Sequence, residues 1–588
     1  MSEEQELGFF IPESSRQGRE ALEEFAAEVS EQNAYDGDEH FRRLVNFYAR
    51  EDRVDQLDGA LSEFGQVMFG PLDDLVRQNN AQGNEPQLDR WSDYGARKEE
   101  IDHHPTYHEA GRYIYGSGVM AAYEDFPNSM GALSRFYVSG QNGEAGHNCP
   151  LACTAGVIRV LQTVADDELR DRYLDGFLNP EYGEHLEGAQ FLTEVQGGSD
   201  VGANGTRATR ADDGTWRIDG EKWFCSNVDG DIFLMTARID ELDEEGTAGL
   251  GLFLVPRTLE DGQVNGFYIR RLKEKLGTRS MASGECDFKG AVAWHIGELG
   301  EGFKHMMNHV INTSRLYNAV GCCSMGRRAF VTARAYARHR EAFGHAIGNY
   351  PLVQETLADM RAETELMLSG TMHLVAMQDR IDAGETSDEE EQFFRMALNI
   401  NKARTAKSAR EVVVDGIEVL GGNGAIETFS VLPRLLRDAV VYENWEGTHN
   451  TLYMQVWRDM KRYGVHEGFF GYLESLIDEI SDNPEVEQTG ELAERLDGLQ
   501  QDTMEVLERP MASASLAMRR LVDDLAYTFY AVVRAWERGS FGEQEGEYGD
   551  AVLEHFMDRR LRGGEPEVGD PLFLERIGLI SEIAGLET

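Results

Sequence analysis

A short segment in the first half of the chain combines small hydroxyl side chains, carboxylates and two adjacent glycines. Residues 191–201 read FLTEVQGGSDV. Gly197 and Gly198 let backbone N–H groups approach a ligand because no Cβ stands in the way, while Thr193 and Ser199 supply donors at the rim. These features suit a site for a phosphate or a flavin. A tight turn with locally bonded polar side chains is typical of the same composition, so the segment alone leaves both interpretations open.

Histidines and cysteines are the other residues that could do chemistry, as ligands of a metal ion. The candidates are His103, His104, His108, His147, Cys149 and Cys153. Neither the histidine nor the cysteine spacing matches a zinc signature, so we expect no metal site. The chain has six cysteines in 588 residues, too few and too irregularly spaced for a disulfide framework. That usage is typical of a reducing compartment.

The hydrophobic pattern divides the chain into regions that must position these residues. Residues 1–40 are acidic and weakly patterned, so we predict a lead-in segment or an ordered arm. Apolar residues then recur at helical spacing over 41–188, which predicts an N-terminal helical domain. Over 189–297, short β-rich runs bounded by turn residues predict a compact β-domain.

The helical period returns after the β-rich region. Residues 298–462 contain long helical segments, which the glycine-rich sequence at 421–424 interrupts. Residues 463–588 are helical again, and an apolar stripe within them indicates core or a subunit interface. The stripe consists of Leu521, Leu525, Phe529, Val532 and Trp536. The predicted class is α+β, mostly α.

The charge balance indicates the solvent in which the protein works. The chain carries 105 acidic and 56 basic residues, a net charge of −49, and only 9 of the basic residues are lysine. Molar salt shortens the Debye length to about 3 Å, so such a surface stays hydrated without strong self-repulsion. We interpret the protein as halophilic, with an acidic surface for a basic partner as the alternative. No run approaches the roughly 18 apolar residues of a membrane span, and the first residues are acidic, so we expect a soluble, cytoplasmic protein.

Five motifs follow one another at spacings that resemble the acyl-CoA dehydrogenase family. They are Thr193–Val201, Gly220–Asn227, Arg340–Gly344, Gly421–Gly424 and Tyr442–Thr448. Further segments resemble the AidB-like branch of that family, which is linked to the alkylation response. These are Ile101–His108, Ala145–Pro150 and Arg271–Ser280. The resemblance covers roughly residues 100–460 of the chain.

The resemblance implies a fold and a cofactor. The fold has an N-terminal helical domain, a central β-barrel-like domain and a C-terminal four-helix bundle, which extra helices follow here. The implied cofactor is FAD, with Arg340 on its pyrophosphate from a neighbouring subunit. The implied flavin-binding residues are Thr193, Ser199, Phe224, Ser226, Arg340, Phe343, Gly421, Gly422, Thr448 and Asn450.

A carboxylate base is implied at Glu446, with Arg315, Trp445 and Gly447 in the substrate pocket. Family members remove an α-proton from an acyl-CoA thioester while a hydride leaves the β-carbon for the flavin. Burial would raise the pKa of this base from about 4.3 toward the operating pH. Some relatives carry the base on an earlier helix, where this chain has Ser314. The alternative for Glu446 is an acid at a helix N-terminus.

Several functions remain open on this basis. The first is an FAD-dependent acyl-CoA dehydrogenase that passes electrons to an electron-transferring flavoprotein, and an oxidase differs from it only in oxygen access. The second is an AidB-like flavoprotein with weak dehydrogenase activity that associates with nucleic acid. Residues 463–588 carry 28 acidic and 10 basic residues, and this net negative charge opposes binding to the phosphates of nucleic acid. We also expect a homo-oligomer, either a dimer or a tetramer.

Overall fold

A computed structural model of the protein describes residues 12–542, 545–563 and 570–585. Eight helices of the described chain precede the main sheet. Several begin at residues that favour helix starts: the Asp38 carboxylate accepts a hydrogen bond from the Phe41 N–H, and Pro71 and Pro105 stand in first turns. The helices are α1 (Glu13–Glu31), α2 (Glu39–Tyr48), α3 (Val54–Gly65), α4 (Pro71–Asn79), α5 (Pro105–Gly116), α6 (Ser129–Gly140), α7 (Ala145–Thr163) and α8 (Asp167–Leu178).

The predicted N-terminal arm contains helix α1. Phe25 of this helix is buried, and its ring lies 5.4 Å from that of Tyr336 in an edge-to-face contact. The arm is therefore packed against a later helix over its described length. Residues 1–11 of the predicted arm lie outside the described residues.

The region predicted to be helical over 41–188 also contains a hairpin. Strands β1 (Gln87–Trp91) and β2 (Arg97–Asp102) pair antiparallel. Leu88 and Ile101 pack against the core of the main sheet, and Arg97 donates to the carbonyls of two residues beside it. The region is therefore helical apart from this hairpin, which the sequence pattern did not indicate. The strands are short and half-exposed, so they produce little periodic signal.

The main sheet closes on itself, which confirms the predicted barrel-like region. Its path runs β3-β6-β4-β5-β9-β7, β7 pairs back with β6, and β8 pairs with β9. Strands β6 and β7 are buried along almost their whole length, as expected of apolar runs inside a closed sheet. The strands are β3 (Gly188–Phe191), β4 (Arg207–Arg210), β5 (Trp216–Ser226), β6 (Ile232–Ile239), β7 (Leu250–Pro256), β8 (Phe267–Leu272) and β9 (Ser283–Ile296).

Long helices pack together after the sheet. A π-helical turn over Met306–Ile311 joins the first two, and Ser387 forms a capping box with Glu390 at the start of the fourth. A short hairpin, β10 (Glu341–Ala342) with β11 (His345–Ala346), follows the second. The helices are α9 (Gly302–His305), α10 (Asn312–His339), α11 (Pro351–Asp382), α12 (Asp388–Leu420), α13 (Leu432–Asn444) and α14 (His449–Tyr463).

The C-terminal region is helical, as predicted. The apolar stripe lies on one helix, where Leu521, Leu525, Phe529 and Val532 are buried within the chain and Trp536 packs edge-to-face on Phe47. This stripe therefore belongs to the core of the single chain. The helices are α15 (Val465–Ile480), α16 (Thr489–Glu508), α17 (Met511–Phe541), α18 (Gly546–Arg560) and α19 (Pro571–Ser581).

Candidate functional site

A sharp turn between α13 and α14 carries the carboxylate that the sequence singles out. Helix α13 ends at Asn444, and α14 begins at His449. Between them Glu446 has φ +55° and Gly447 has φ +110°, so two successive residues take left-handed backbone. Such backbone costs a non-glycine residue free energy and persists only where surrounding contacts hold it. We call residues 445–448 the Glu446 turn.

Two buried cations hold the backbone of the Glu446 turn. Arg315 Nε donates to the Glu446 carbonyl oxygen at 3.2 Å. Lys402 Nζ donates to the Gly447 carbonyl at 2.9 Å and to the Glu443 carbonyl at 3.2 Å. Burial lowers the pKa of Lys402 to about 8 and that of Arg315 to about 10, so both remain largely cationic at neutral pH.

Arg315 is itself fixed by neutral side chains. Its Nη1 donates to Asn399 Oδ1 at 2.6 Å, and its Nη2 donates to Gln455 Oε1 at 3.0 Å. These partners lie on α12 and α14, so three helices meet at one guanidinium. The planar fork of arginine suits such a junction because its donors have fixed directions.

The Glu446 carboxyl points toward β3. Gln190 Nε2 donates to Glu446 Oε1 at 3.0 Å and to Ser314 Oγ at 3.1 Å. Part of Glu446 is accessible to solvent, yet the surrounding atoms desolvate the carboxyl and raise its pKa to about 7. The charges of Arg315 and Lys402 and the Gln190 hydrogen bond oppose that rise. A carboxyl with this pKa can exchange a proton near neutral pH.

The glycine-rich segment 191–201 lies beside this turn. Ser199 Oγ is 3.2 Å from Thr451 Oγ1, which is 3.0 Å from Thr448 Oγ1. The Gly197 N–H bonds the Glu194 carbonyl, so the segment is a tight turn, as one of the two sequence interpretations holds. Ser199 nonetheless stays exposed beside α14. The turn therefore presents a hydroxyl at the Glu446 side of the molecule.

The buried carboxylate of Glu194 ties the glycine-rich segment to neighbouring parts of the β-domain. Its carboxylate accepts from Lys222 Nζ at 2.9 Å in a fully buried pair, and from the backbone N–H groups of Gly205 and Thr206. Burial raises the pKa of Glu194, but Lys222 and these hydrogen bonds have the larger, opposite effect and bring the pKa down to about 2. A Cβ at Gly198 would lie 2.5 Å from Thr193 Oγ1, so a larger residue there would displace Thr193.

Phe224 and Ser226 lie on β5 next to this segment. The Trp223 N–H donates to the Thr193 carbonyl at 2.9 Å, which joins the strand to the segment. Phe224 is 54% exposed, and Lys273 Nζ lies 4.7 Å from its ring centre. An aromatic ring left half in solvent beside hydroxyl groups suits the face of a planar ligand.

Trp445 contacts a different part of the chain. It packs against Cys149, Cys153 and Met281, and its ring lies 4.8 Å from that of Tyr442. Trp445 directly precedes Glu446 in the chain, and the Cys153 thiol that it packs against is close enough to Glu446 to interact with its carboxyl. Asn450 is exposed in the first turn of α14.

The remaining predicted flavin residues make no side-chain hydrogen bond or ring contact with the Glu446 turn among the described residues. Arg340 and Phe343 are on the exposed β10–β11 hairpin, where Phe343 is 96% exposed at φ +54°. Gly421 and Gly422 follow α12 and are exposed.

These residues fit a flavin dinucleotide. At Gly421 and Gly422 no atom lies within 4 Å of where a Cβ would stand, so the backbone is open to a ligand. Phe224 and Phe343 offer apolar surface, Thr193, Ser199 and Thr448 offer hydroxyls, and Arg340 offers a planar cation that suits phosphate oxygens. Among residues 12–542, 545–563 and 570–585, no group of three histidine, cysteine or acidic side chains could hold a metal ion.

Sequence reasoning missed Gln190, Asn399, Lys402 and Gln455. Gln190 lies next to the glycine-rich segment, and Lys402 is one of only nine lysines in the chain. The scarcity of lysine was therefore the one signal in the sequence that could have singled out Lys402.

None of the helices in the described residues combines the length and the apolar composition that a membrane span requires.

Comparisons with known proteins agree with this architecture. Models for the C-terminal and middle domains of acyl-CoA dehydrogenase match residues 300–461 and 189–291. The model for the N-terminal domain of the adaptive response protein AidB matches residues 25–184.

Two relatives and one solved structure extend the match. Acyl-CoA dehydrogenase family member 11 of Caenorhabditis elegans is 32% identical over 72% of this chain and 70% of its own length. The putative acyl-CoA dehydrogenase AidB of Escherichia coli K12 is 33% identical over 69% of this chain and 75% of its own length. The crystal structure of C. elegans ACDH-11 in complex with C11-CoA superposes with a TM-score of 0.82 and 26% identity, covering 90% of this chain and 91% of that chain. The chain therefore belongs to the acyl-CoA dehydrogenase family.

Proposed function

We propose that the protein is an FAD-dependent acyl-CoA dehydrogenase in which Glu446 is the catalytic base. One observation carries the proposal. A desolvated carboxyl with a pKa of about 7 stands on a strained turn that two buried cations hold in place. A base of this kind can take a proton from carbon near neutral pH, because its position is set before the substrate arrives.

The residues in and around the Glu446 turn have separate roles in this proposal. Gln190 donates to Glu446 Oε1, so Oε2 is the oxygen that accepts the α-proton of the thioester. Among the described residues the Glu446 N–H donates to no protein acceptor, so it is free to polarise the thioester carbonyl as an oxyanion donor does. Gly447 leaves the space that a side chain would fill, and Trp445 bounds the acyl pocket. Bound FAD supplies the hydride acceptor for the β-carbon.

Thr193, Ser199, Phe224 and Ser226 would hold FAD from the side of the glycine-rich segment, and Thr448 and Asn450 from the side of α14. Phe343 is 96% exposed, which supports a role for it and its neighbour Arg340 at the FAD of a second copy. Gly421 and Gly422 would accommodate the adenosine half. The active protein is a homo-oligomer on this proposal.

The substrate is an acyl-CoA, and the electrons leave to an electron-transferring flavoprotein. The relative of known structure was solved with C11-CoA, which supports a thioester ligand. An AidB-like role on nucleic acid is the second candidate because the AidB model matches residues 25–184. The charge of −18 over residues 463–588 opposes it, since phosphate binding gains its free energy from cations.

Replacing the base tests the proposal directly. Anaerobic titration of the FAD-loaded protein in high salt with acyl-CoAs of graded chain length should bleach the flavin absorbance. Glu446→Gln cannot accept the α-proton, so we expect at least a ~1000-fold slower bleaching with unchanged FAD content. In the wild type the reduction rate should rise as the pH increases through about 7, because the carboxylate form is the base.

Glu467→Gln is the matched control, because Glu467 is an exposed glutamate on α15. It should bleach at the wild-type rate. An unchanged rate in Glu446→Gln removes Glu446 from the mechanism. Failure of every acyl-CoA to bleach the wild type, together with retention of the protein on duplex DNA, favours the nucleic-acid role instead.

A further inference from the structure

Lys402 binds the backbone on both sides of Glu446. Its Nζ donates to the carbonyl oxygens of Glu443 and Gly447, three residues before and one residue after the carboxylate. We propose that Lys402 is a positioning residue for the Glu446 base, fixing the Glu446 turn against helix α12. The inference rests on the proposed role of Glu446 for its functional meaning, although its structural part can be tested separately.

The end of helix α13 explains why a cation is needed there. Glu443 is in the last turn of α13, where carbonyl oxygens have no intrahelical partner. Gly447 follows in left-handed backbone, so its carbonyl also lacks a helical donor. Lys402 is fully buried in the middle of α12, and its flexible stem brings one ammonium to both oxygens. Without it, two partly buried carbonyls would lose this donor.

Arg315 does not replace this contact. It binds the carbonyl of Glu446 itself, and its other nitrogens are committed to Asn399 and Gln455. Arg315 therefore fixes one point of the turn, whereas Lys402 fixes the two points that bracket it. A backbone with two successive left-handed residues needs both, because neither φ value is held by a regular hydrogen-bond ladder.

The charge of Lys402 also acts on the carboxyl. The groups that face Glu446 are Arg315 from α10, Lys402 from α12, Gln190 from β3 and the thiol of Cys153 from α7. Lys402 in turn faces Cys322, Arg315 and Glu443. A hydrogen bond with Cys149, together with burial, raises the pKa of the Cys153 thiol well above its ordinary value, and burial does the same for Cys322, so neither thiol carries charge at neutral pH. The two cations, together with the Gln190 hydrogen bond, thus favour the ionised carboxylate.

Substitution of Lys402 separates positioning from simple stability. Lys402→Met removes both the donors and the charge, and we expect it to raise the pKa of Glu446 from about 7 to about 8. That change leaves about fivefold less carboxylate at pH 7, and the loss of backbone contacts should slow flavin reduction further. The pKa is measured by infrared titration of the carboxyl band that Glu446→Gln removes, which requires no substrate.

Lys407→Met is the matched control. Lys407 lies on the same helix and pairs with Asp523, away from the turn. It should leave both the infrared titration and the reduction rate unchanged. If Lys402→Met does not fold, Lys402→Gln, which keeps polar donors without charge, carries the same expected pKa change.

Two results overturn the inference. One is a folded, charge-free variant at residue 402 whose Glu446 pKa and flavin reduction rate match the wild type. The other is a variant that loses thermal stability while the Glu446 pKa stays at about 7, which is the outcome of a purely structural lysine. An infrared shift without any acyl-CoA reduction in the wild type would instead support the contact and count against the proposed activity.

Discussion

At the scale of single residues, the Glu446 turn shows what a motif predicts and what it leaves out. Glu446 and Gly447 are neighbours in the chain, so a short sequence pattern can single them out. Two residues that contact the same turn lie far from it in the chain. Gln190 stands 256 residues before Glu446, to which it donates, and Lys402 stands 45 residues before Gly447. Their approach depends on how a strand and two helices pack, which no local pattern encodes. The catalytic role of Glu446 stays a prediction.

Gly447 should be required at its position for conformational reasons. With φ at +110° its backbone is strained for any L-residue, and a Cβ would lie 3.2 Å from Leu452 Cδ2. We expect Gly447→Ala to cost about 1 to 3 kcal/mol of unfolding free energy and to displace the carboxylate. Denaturant unfolding and the rate of flavin reduction measure the two effects.

Gly498→Ala is the opposite case, since Gly498 lies inside α16 with nothing within 4 Å of the added Cβ. There the substitution should stabilise the protein by about 0.5 to 1 kcal/mol. Equal effects of the two substitutions would show that the left-handed backbone is not what makes Gly447 necessary.

At the scale of elements, patterns with many repeats were predictable and short ones were not. Helix α17 runs for 31 residues, and its apolar residues recur along one face, so its period is strong. The β1–β2 hairpin has five and six residues per strand, and its Leu88 and Ile101 gain their burial only from the main sheet. Helix α1 is likewise polar overall and is held by contacts such as that of Phe25 with Tyr336.

The C-terminal helices dock through a buried ion pair that should dominate their stability. Arg534 of α17 and Glu545 just before α18 are both fully buried, with 2.6 Å between Nη1 and Oε2, and Arg43 of α2 also reaches Glu545. Glu545→Gln leaves Arg534 without this counter-charge, so we expect a loss of about 3 to 5 kcal/mol. Glu505→Gln, which breaks an exposed pair with Arg509, should change the unfolding free energy by less than about 0.5 kcal/mol.

The pH dependence of the same pair has a definite sign. Burial raises the pKa of Glu545, but the charge of Arg534 outweighs it and holds the pKa well below its ordinary value. A carboxyl whose pKa is lowered by folding contributes stability above its unfolded pKa of about 4.3 and loses it as the pH falls. Thermal unfolding of Glu545→Gln should therefore depend less steeply on pH below about 4 than that of the wild type. Parallel curves would remove the pair from the acid response.

At the scale of the whole molecule, charge is the dominant feature. A net charge of −49 on 588 residues acts against the compact state through mutual repulsion. The buried cations described above are nearly all committed to specific carboxylates or carbonyls, so they do not relieve repulsion at the surface. We propose that dissolved salt does so, as the halophilic interpretation of the sequence holds.

Raising the salt concentration should therefore stabilise the protein. Between 0.1 and 1 M KCl the Debye length falls from about 10 to 3 Å, which screens most pairs of exposed carboxylates. A gain of about 2 kcal/mol would raise the midpoint of thermal unfolding of a 588-residue chain by about 2 °C. Scanning calorimetry in a KCl series measures it, with NaCl of equal ionic strength as the comparison, because both salts screen charge equally. A midpoint that stays constant or falls as the ionic strength increases contradicts screening as the source of stability, because mobile ions weaken repulsion between fixed charges.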